Sequence, residues 1–167
     1  MAAVANNSNS LRDAVINVAS IGLTLNPAMA YAYLVPRDGA ICLDIGYQGL
    51  IKIATDTGSI MWCRADVVYD KDIFVYNGPA AAPTHTANPF DDRGAVVGVY
   101  CIAKTKEGDY LVEVMSEKEI LDIKSKSPSA KSSYSPWTTF PSEMRKKAVI
   151  KRASKTWPKT DKNGRLA

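Results

Sequence analysis

Apolar residues recur at helical spacing near the start of the chain. They lie three and four positions apart, the period of one helix face, and are Leu11, Ala14, Val15, Val18 and Ala19. Ser10-Leu11-Arg12-Asp13 has the form of a capping box, and Gly22 is placed to end the helix. The pattern predicts a flexible tail over residues 1–9 and a helix that begins at Ser10.

Two short apolar runs follow, residues 30–35 and Ala40–Ile45, with Pro36-Arg37-Asp38-Gly39 between them. Proline and glycine in these positions are typical of a tight turn, so the runs are predicted to pair as a β-hairpin. The second run leads through Gly46 and Gly49 into another apolar segment that closes at Gly58. A short helix is expected there.

Four further apolar runs predict strands, and the last two are joined by Lys106-Glu107-Gly108. They span residues 60–69, 73–76, 95–103 and 109–115. Runs of this length with short connections favour an antiparallel sheet. The connection over residues 77–94 contains three prolines and is long for a compact domain, which indicates either a functional or a mobile loop.

The C-terminal part of the chain is predicted to be helical. Ser116-Glu117-Lys118-Glu119 repeats the capping-box form before a short helix to about Lys126. Residues 124–135 have the composition of an exposed basic linker, and a final helix is expected over residues 142–157. The order of elements predicts an α+β fold, a small antiparallel β-sheet with helices packed on it. One domain is expected over residues 10–158, with a flexible basic tail over residues 159–167.

Charge is distributed unevenly along the chain. The last 44 residues hold 12 of the 21 Lys and Arg residues but only two of the 17 acidic ones, so they carry +10 and the remainder −6. A basic segment this concentrated most often binds a polyanion, and nucleic acid is the commonest one. Three widely spaced cysteines favour reduced thiols, and no apolar stretch reaches about 18 residues, so a cytoplasmic protein with no membrane partner is expected.

The predicted final helix has two distinct faces at 100° per residue. Apolar residues form one face, and the opposite side carries the cations Arg145, Lys147, Lys151, Arg152 and Lys155. The three lysines follow one another at about 6 Å along the axis, which is of the same order as the spacing of phosphates on a strand. Because no carboxylate on the arc can form i,i+4 pairs with them, these cations are predicted to bind a nucleic-acid backbone rather than form a merely solvated face.

Other partners fit this helix less well. Helices that bind membranes or calmodulin-like proteins need bulky apolar residues. The apolar face of the predicted final helix has few of them. Stacking on bases needs aromatic rings, and each candidate ring is alternatively a packing residue. The candidates are Tyr31, Tyr33, Tyr47, Tyr134 and Trp137. Trp137 is favoured because it follows Pro136 and the basic linker.

Few residues carry a catalytic signal. His85 is the only histidine, which excludes a multi-histidine metal site, and it is interpreted as a loop residue or a phosphate contact. The sequence has no G-x-x-x-x-G-K-[ST] loop for ATP. Asp70 with Asp72, and Asp91 with Asp92, have a spacing that would suit the metal site of a nuclease, although turn-forming aspartates are the commoner explanation. We expect no covalent catalysis and no catalytic or metal-binding residues.

Three segments together resemble a known family. They read IGLTLNPAMAYAYLVPRDGAICLDIGYQGLIKIATDTGSI, VVGVYCIAKTKEGDYLVEVMSEKEI and SPWTTFPSEMRKKAVIKRASKTWP. In order and spacing they are similar to the RecT/Bet family of phage-type single-strand DNA annealing proteins. The resemblance covers about residues 11–158, and its most specific part is Pro-Trp followed by Glu-Met-Arg-Lys-Lys-Ala.

The resemblance implies an ATP-independent protein that coats single-stranded DNA and pairs it with a complementary strand in DNA recombination and repair. It further implies a homo-oligomeric ring or helical filament, a partner exonuclease, and no cofactor beyond Mg2+ as an aid to annealing. The location implied is the cytoplasm of a bacterial host, at the nucleoid during recombination. A passive single-stranded DNA-binding protein without annealing activity is the alternative.

The resemblance also implies which residues contact DNA. By motif position, Lys147 and Arg152 would be cations of the DNA groove, with Lys146 and Lys151 beside them. Trp137 would lie at the edge of the groove, and Arg37, at the hairpin turn, is a weaker addition.

Overall fold

A computed structural model describes residues 8–127, 130 and 132–160 of the chain. The chain divides between Thr57 and Gly58 into two compact units. Most of the predicted tails at residues 1–9 and 159–167 lie outside the described residues, and the single domain over residues 10–158 stays a prediction. In the described ranges, no helix has the length and apolar character needed to span a membrane.

The first unit contains two helices and a hairpin. Its elements are α1 Ser8–Ser20, β1 Ala32–Arg37, β2 Ala40–Ile45 and α2 Tyr47–Asp56. Helix α1 begins two residues before the predicted cap at Ser10, whose hydroxyl instead accepts a hydrogen bond from the Ile41 amide at 3.0 Å. As predicted, Gly22 follows the end of α1 at Ser20, and its φ of 70° is typical of a residue that terminates a helix.

The predicted hairpin is confirmed, with a shorter turn than expected. Strands β1 and β2 are antiparallel, and Arg37 pairs with Ala40, so Asp38 and Gly39 alone form the loop. Their φ angles of 49° and 77° match the two-residue turns that suit the twist of a hairpin. Pro36 therefore lies inside β1, which is possible because, among the residues that the structure describes, β1 pairs with β2 alone.

The second unit is built on a three-stranded sheet. Its elements are β3 Trp62–Tyr69, β4 Ile73–Val75, β5 Thr84–Thr86, β6 Val96–Lys104, β7 Tyr110–Ser116, α3 Glu117–Ser125, α4 Pro136–Thr139 and α5 Pro141–Ala153. The sheet has the order β3-β6-β7, and both ladders are antiparallel. The α+β class with small antiparallel sheets and packed helices is thus confirmed.

The two faces of this sheet are covered differently. The pleat sends alternate residues to opposite faces, and Val99, Cys101 and Ala103 of β6, each 0% exposed, lie on the face covered by α3 and α5. Tyr100 lies on the other face, where its ring contacts Phe74 of β4 at a centroid distance of 5.2 Å. The ribbon of β4 and β5 therefore covers one end of the second face.

The long connection contains a strand that the sequence reading missed. Residues 84–86 pair with β4 rather than forming an open loop. The run at residues 73–76 does form a strand, but its partner is β5 and not the three-stranded sheet. The capping box at Ser116 is confirmed, because its hydroxyl accepts from the Glu119 amide and the Glu119 carboxylate accepts from the Ser116 amide.

Candidate nucleic-acid interface

The final helix, α5, forms where the sequence predicts one but is shorter. It starts at Pro141, whose missing amide hydrogen is not needed in the first helical turn, and ends at Ala153 rather than at residue 157. Beyond it, the Lys155 amide donates to the Arg152 carbonyl and the Thr156 amide to the Ala153 carbonyl, so tighter turns continue the chain. Lys155 therefore follows the helix instead of lying on it.

The apolar face of α5 is confirmed. The apolar residues of the predicted helix over 142–157 are buried: Val149 is 0% exposed, and Ile150, Ala153 and Trp157, the last lying beyond the end of α5, are at most 6% exposed. Helix α5 contacts β3, β6 and β7. Packing on all three strands fixes which side of α5 faces outward, and that side carries Lys147 and Lys151.

The lysines and arginines of the predicted arc have different surroundings. Lys147 is half-buried and Lys155 is exposed, and within the described part of the chain neither forms a salt bridge. Lys151 is half-buried and has an interaction of its own. Lys146 is also half-buried and forms a 3.3 Å ion pair with Glu143. Lys147 and Lys155 are thus the cations best placed to meet a phosphate.

Arg145 is held by a carboxylate of the neighbouring helix. Its Nε donates to Glu117 Oε2 at 2.8 Å, and Nη2 donates to Glu117 Oε1. The two side chains are only 15% and 20% exposed, and this bidentate pair raises the pKa of Arg145. Arg145 therefore connects α5 to the start of α3.

Arg152 is paired twice. Its Nη1 donates to Glu119 Oε1 at 2.6 Å, and Nε lies 2.8 Å from Glu113 Oε1 on β7. The bond from Arg152, together with bonds from Ser116, lowers the pKa of Glu119 to about 2. Both arginines are nevertheless paired, because carboxylates from α3 and β7 reach them although α5 itself supplies no i,i+4 partner.

Trp137 is not placed to stack on a base. The Ser135 hydroxyl accepts from the Trp137 amide and caps α4, and this short helix buries the indole, which is 6% exposed. The indole is therefore not exposed for stacking, and the place of Trp137 at the edge of a DNA groove stays a prediction. Of the other aromatic candidates, Tyr134 is 89% exposed and Tyr33 is 43% exposed.

Arg37 lies in the first unit, at the end of β1. Its side chain is 62% exposed, and Nη2 lies 3.9 Å from Asp44 Oδ2 across the hairpin. A pair this long and this exposed holds the side chain weakly. The DNA-binding role given to Arg37 and to the cations of α5 stays a prediction.

The aspartates considered for metal binding have protein partners. Asp72 is 1% exposed and accepts from Arg93, His85 and the Tyr69 amide, which together lower its pKa, the bond from Arg93 most strongly. Asp92 accepts from Lys71 at 2.6 Å. In the described ranges, no group of three or more His, Cys, Asp and Glu residues could hold a metal ion. The aspartates thus serve as hydrogen-bond acceptors that fix turns and strand ends.

The sequence was interpreted to place His85 in a loop or at a phosphate, but His85 lies in a strand. It lies in β5 and is 10% exposed, with Nε2 at 3.0 Å from Asp72. Because the carboxylate only accepts, Nε2 carries the hydrogen, and the Tyr100 hydroxyl lies at 3.2 Å from the other ring nitrogen. Both nitrogens are occupied, so the expected phosphate contact is not available here.

One aromatic and basic surface was missed by the sequence reading. Trp62, Lys104 and Tyr110 are direct neighbours across β3, β6 and β7. Alternation along each strand is visible in the sequence, but the register that aligns these three residues is not. We call these three residues the aromatic row.

A family model and a known protein that match this chain both point to one family. A model of the RecT family matches residues 3–166 of the chain. Protein RecT of Escherichia coli (strain K12) is 32% identical over 158 residues. That alignment covers 89% of this chain and 58% of the relative, so the chain spans somewhat more than half the length of the relative.

Proposed function

The chain belongs to the RecT family, and we propose that it binds single-stranded DNA and anneals complementary strands in recombination, without ATP. The match of the family model to nearly the whole chain is the observation that carries this proposal. The activity needs no covalent chemistry from the protein. Its partners are one DNA strand, the complementary strand and other copies of the chain, and an exonuclease that produces single strands would act beside it.

Two lysines, one on α5 and one just after it, support the DNA-binding part of the proposal. Lys147 and Lys155 have no salt bridge among the described residues, and the ammonium groups are point charges suited to phosphate oxygens. Each lysine that neutralises a phosphate releases counterions, which supplies affinity independent of sequence. Arg145 and Arg152 contribute differently, because their bonds to Glu117, Glu113 and Glu119 hold α5 against α3 and β7.

Contacts to the backbone leave base edges free for pairing. A strand held by its phosphates presents its bases to a second strand, and sequence is then read by base pairing rather than by the protein. No nucleotide hydrolysis is needed for such a step, because pairing itself is favourable. Recognition by the protein is therefore expected to be independent of sequence.

Binding is tested with fluorescent single strands of equal length and different sequence, in a salt series followed by anisotropy. We expect similar affinities for all sequences and a linear fall of log K with log salt. Strong preference for one sequence would contradict the proposal. A passive coating protein would give the same binding curves, and the rate at which complementary strands pair distinguishes it from an annealing protein.

A further inference from the structure

The aromatic row lies on the face of the sheet opposite to α5. Cys101 and Glu113 pair across β6 and β7 and point to the helix side, where Glu113 meets Arg152. Lys104, an odd number of residues from Cys101, points to the other side, as do its direct neighbours Trp62 and Tyr110. Any ligand of the row is therefore separate from a ligand of the α5 lysines.

The two rings of the row converge above the central strand. The centroids of Trp62 and Tyr110 lie 6.4 Å apart in an edge-to-face arrangement, although β6 separates their strands. The Lys104 ammonium lies 5.3 Å from the centroid of the Tyr110 ring. A cation and two rings are thus held together by their own contacts.

The row remains open to solvent. Trp62 is 40% exposed, whereas Trp137 and Trp157 are each 6% exposed. The ribbon of β4 and β5 covers the same face farther along, at Tyr100. A partner that covers Trp62 would remove apolar surface from water, and this favours binding.

Charge around the row favours an anionic partner. Arg64 follows Trp62 by two residues on the same face of β3, and its side chain is 75% exposed. Its Nη2 lies 3.4 Å from Asp66 Oδ2, and such an exposed contact holds the arginine weakly. Within the residues that the structure describes, Lys104 has no salt bridge. Two cations thus flank two rings on an open sheet.

We propose that the aromatic row, together with Arg64, is a second site for single-stranded DNA, on which unpaired bases stack. Rings stack on base faces of any sequence, and cations beside them take the phosphates of the same strand. A duplex hides its base faces, so the row selects unpaired strands. The inference rests on the proposed function, which it extends by giving the protein contacts to single strands on both faces of one sheet.

Tryptophan fluorescence tests this site directly, because Trp62 is the exposed one of the three tryptophans. Titration of the wild-type chain with oligothymidylate at low salt is expected to quench the emission. Trp62→Phe keeps an aromatic ring and is expected to bind with similar affinity but to lose most of the quenching. Trp62→Ala is expected to weaken binding about 5- to 150-fold, since stacking contributes about 1–3 kcal/mol per base.

Controls separate this inference from the proposed function. Circular dichroism and thermal unfolding of each variant establish that it folds, and Lys147→Ala is expected to weaken binding without reducing the quenching at saturation. Trp62→Ala with wild-type affinity, or unchanged quenching in Trp62→Phe, would overturn the second site while leaving DNA binding intact. A wild-type chain that binds no single strand would overturn both proposals.

A second copy of the chain is the other occupant to consider. Self-association through the row would change the emission of Trp62 on dilution of the protein alone, and Trp62→Phe would remove that change. This outcome, with no effect of oligothymidylate, would overturn the proposal. Emission that is independent of protein concentration but quenched by the strand would support it.

Discussion

Arg152 and Glu119 lie 33 residues apart in the sequence, yet Nη1 of the arginine lies 2.6 Å from Oε1 of the carboxylate. The other oxygen of Glu119 accepts from the amide and the hydroxyl of Ser116 at 2.9 Å. One carboxylate thus caps the first turn of α3 and binds the last turn of α5. An anion at a helix start and a cation at a helix end also complement the two helix dipoles.

Arg145→Ala is expected to destabilise the fold by about 3 kcal/mol. The change removes a bidentate bond between two largely buried side chains and leaves Glu117 without its partner. Urea unfolding monitored by circular dichroism measures the loss. Arg145→Lys keeps the charge but not the planar pair of donors, so it is expected to recover only part of the stability. Full stability in Arg145→Ala would show that the pair does not hold α5 in place.

Because Arg152 binds Glu119, we expect the stability of the fold to depend on pH in the acid range. The folded-state pKa of Glu119, about 2, lies below its ordinary value of 4.5. Between these values the unfolded state binds more protons, so stability rises with pH. The contribution is complete above pH 4.5 and is lost as pH falls to about 2.

Glu119→Gln tests this dependence, since glutamine keeps the capping geometry without the charge. The variant is expected to be less stable than wild type above pH 4.5, with a difference that shrinks as pH approaches 2. Urea unfolding of both proteins in matched buffers measures it. A difference that stays constant over this interval would show that the charge of Glu119 does not contribute.

Lys147→Ala is expected to weaken single-strand binding equally for all sequences. Losing one phosphate contact should reduce the salt slope of log K by about 0.7. Lys71→Ala is a matched control, because it removes the same charge from an exposed pair with Asp92 outside α5. The control is expected to bind nearly as wild type does. Equal effects of the two changes would show that only net charge matters.

Arg152→Ala provides a contrast to Lys147→Ala. The Arg152 side chain is 44% exposed and its guanidinium is bound by two glutamates, so we expect a loss of stability of about 1 kcal/mol. The salt slope is expected to change less than in Lys147→Ala. A larger change of slope in Arg152→Ala would mean that the arginine leaves its glutamates to bind phosphate.

Asp72→Ala is expected to destabilise the second unit by about 3 kcal/mol. Asp72 is 1% exposed, and its removal leaves Arg93 and His85 without their shared partner. Asp92→Ala is the comparison, since that carboxylate is 82% exposed and pairs with one lysine. It should change stability by less than about 0.5 kcal/mol. Similar losses of stability in both variants would show that the bonds of Asp72 to Arg93 and His85 do not stabilise the second unit more than an exposed pair does.

Local patterns predicted much of the fold. The hairpin of β1 and β2, the capping box at Ser116 and the buried face of α5 each depend on residues close together in the sequence. Periodicity of two or 3.6 residues then decides which side chains are buried. These features were confirmed because the sheet packs against the face that the pattern makes apolar.

Contacts between residues far apart in the sequence could not be predicted from the same patterns. Glu117 and Glu119 were recognised as part of a cap, but nothing in the spacing shows that they also meet Arg145 and Arg152 from α5. The burial of Trp137 follows from the turn at Ser135, which forms a helix too short to produce a periodic signal. Thr84-His85-Thr86 likewise became a strand only because β4 lies beside it.

The central claim is tested most directly by mixing two dye-labelled complementary strands with the protein, without nucleotide, and following energy transfer in time. A non-complementary pair, a protein-free sample and the Lys147→Ala variant complete the experiment. We predict that the wild-type chain accelerates pairing and that this acceleration requires complementary strands. Pairing is expected to be slower with Lys147→Ala. Tight binding of each strand with pairing no faster than in the protein-free sample would contradict this prediction and identify a passive coating protein.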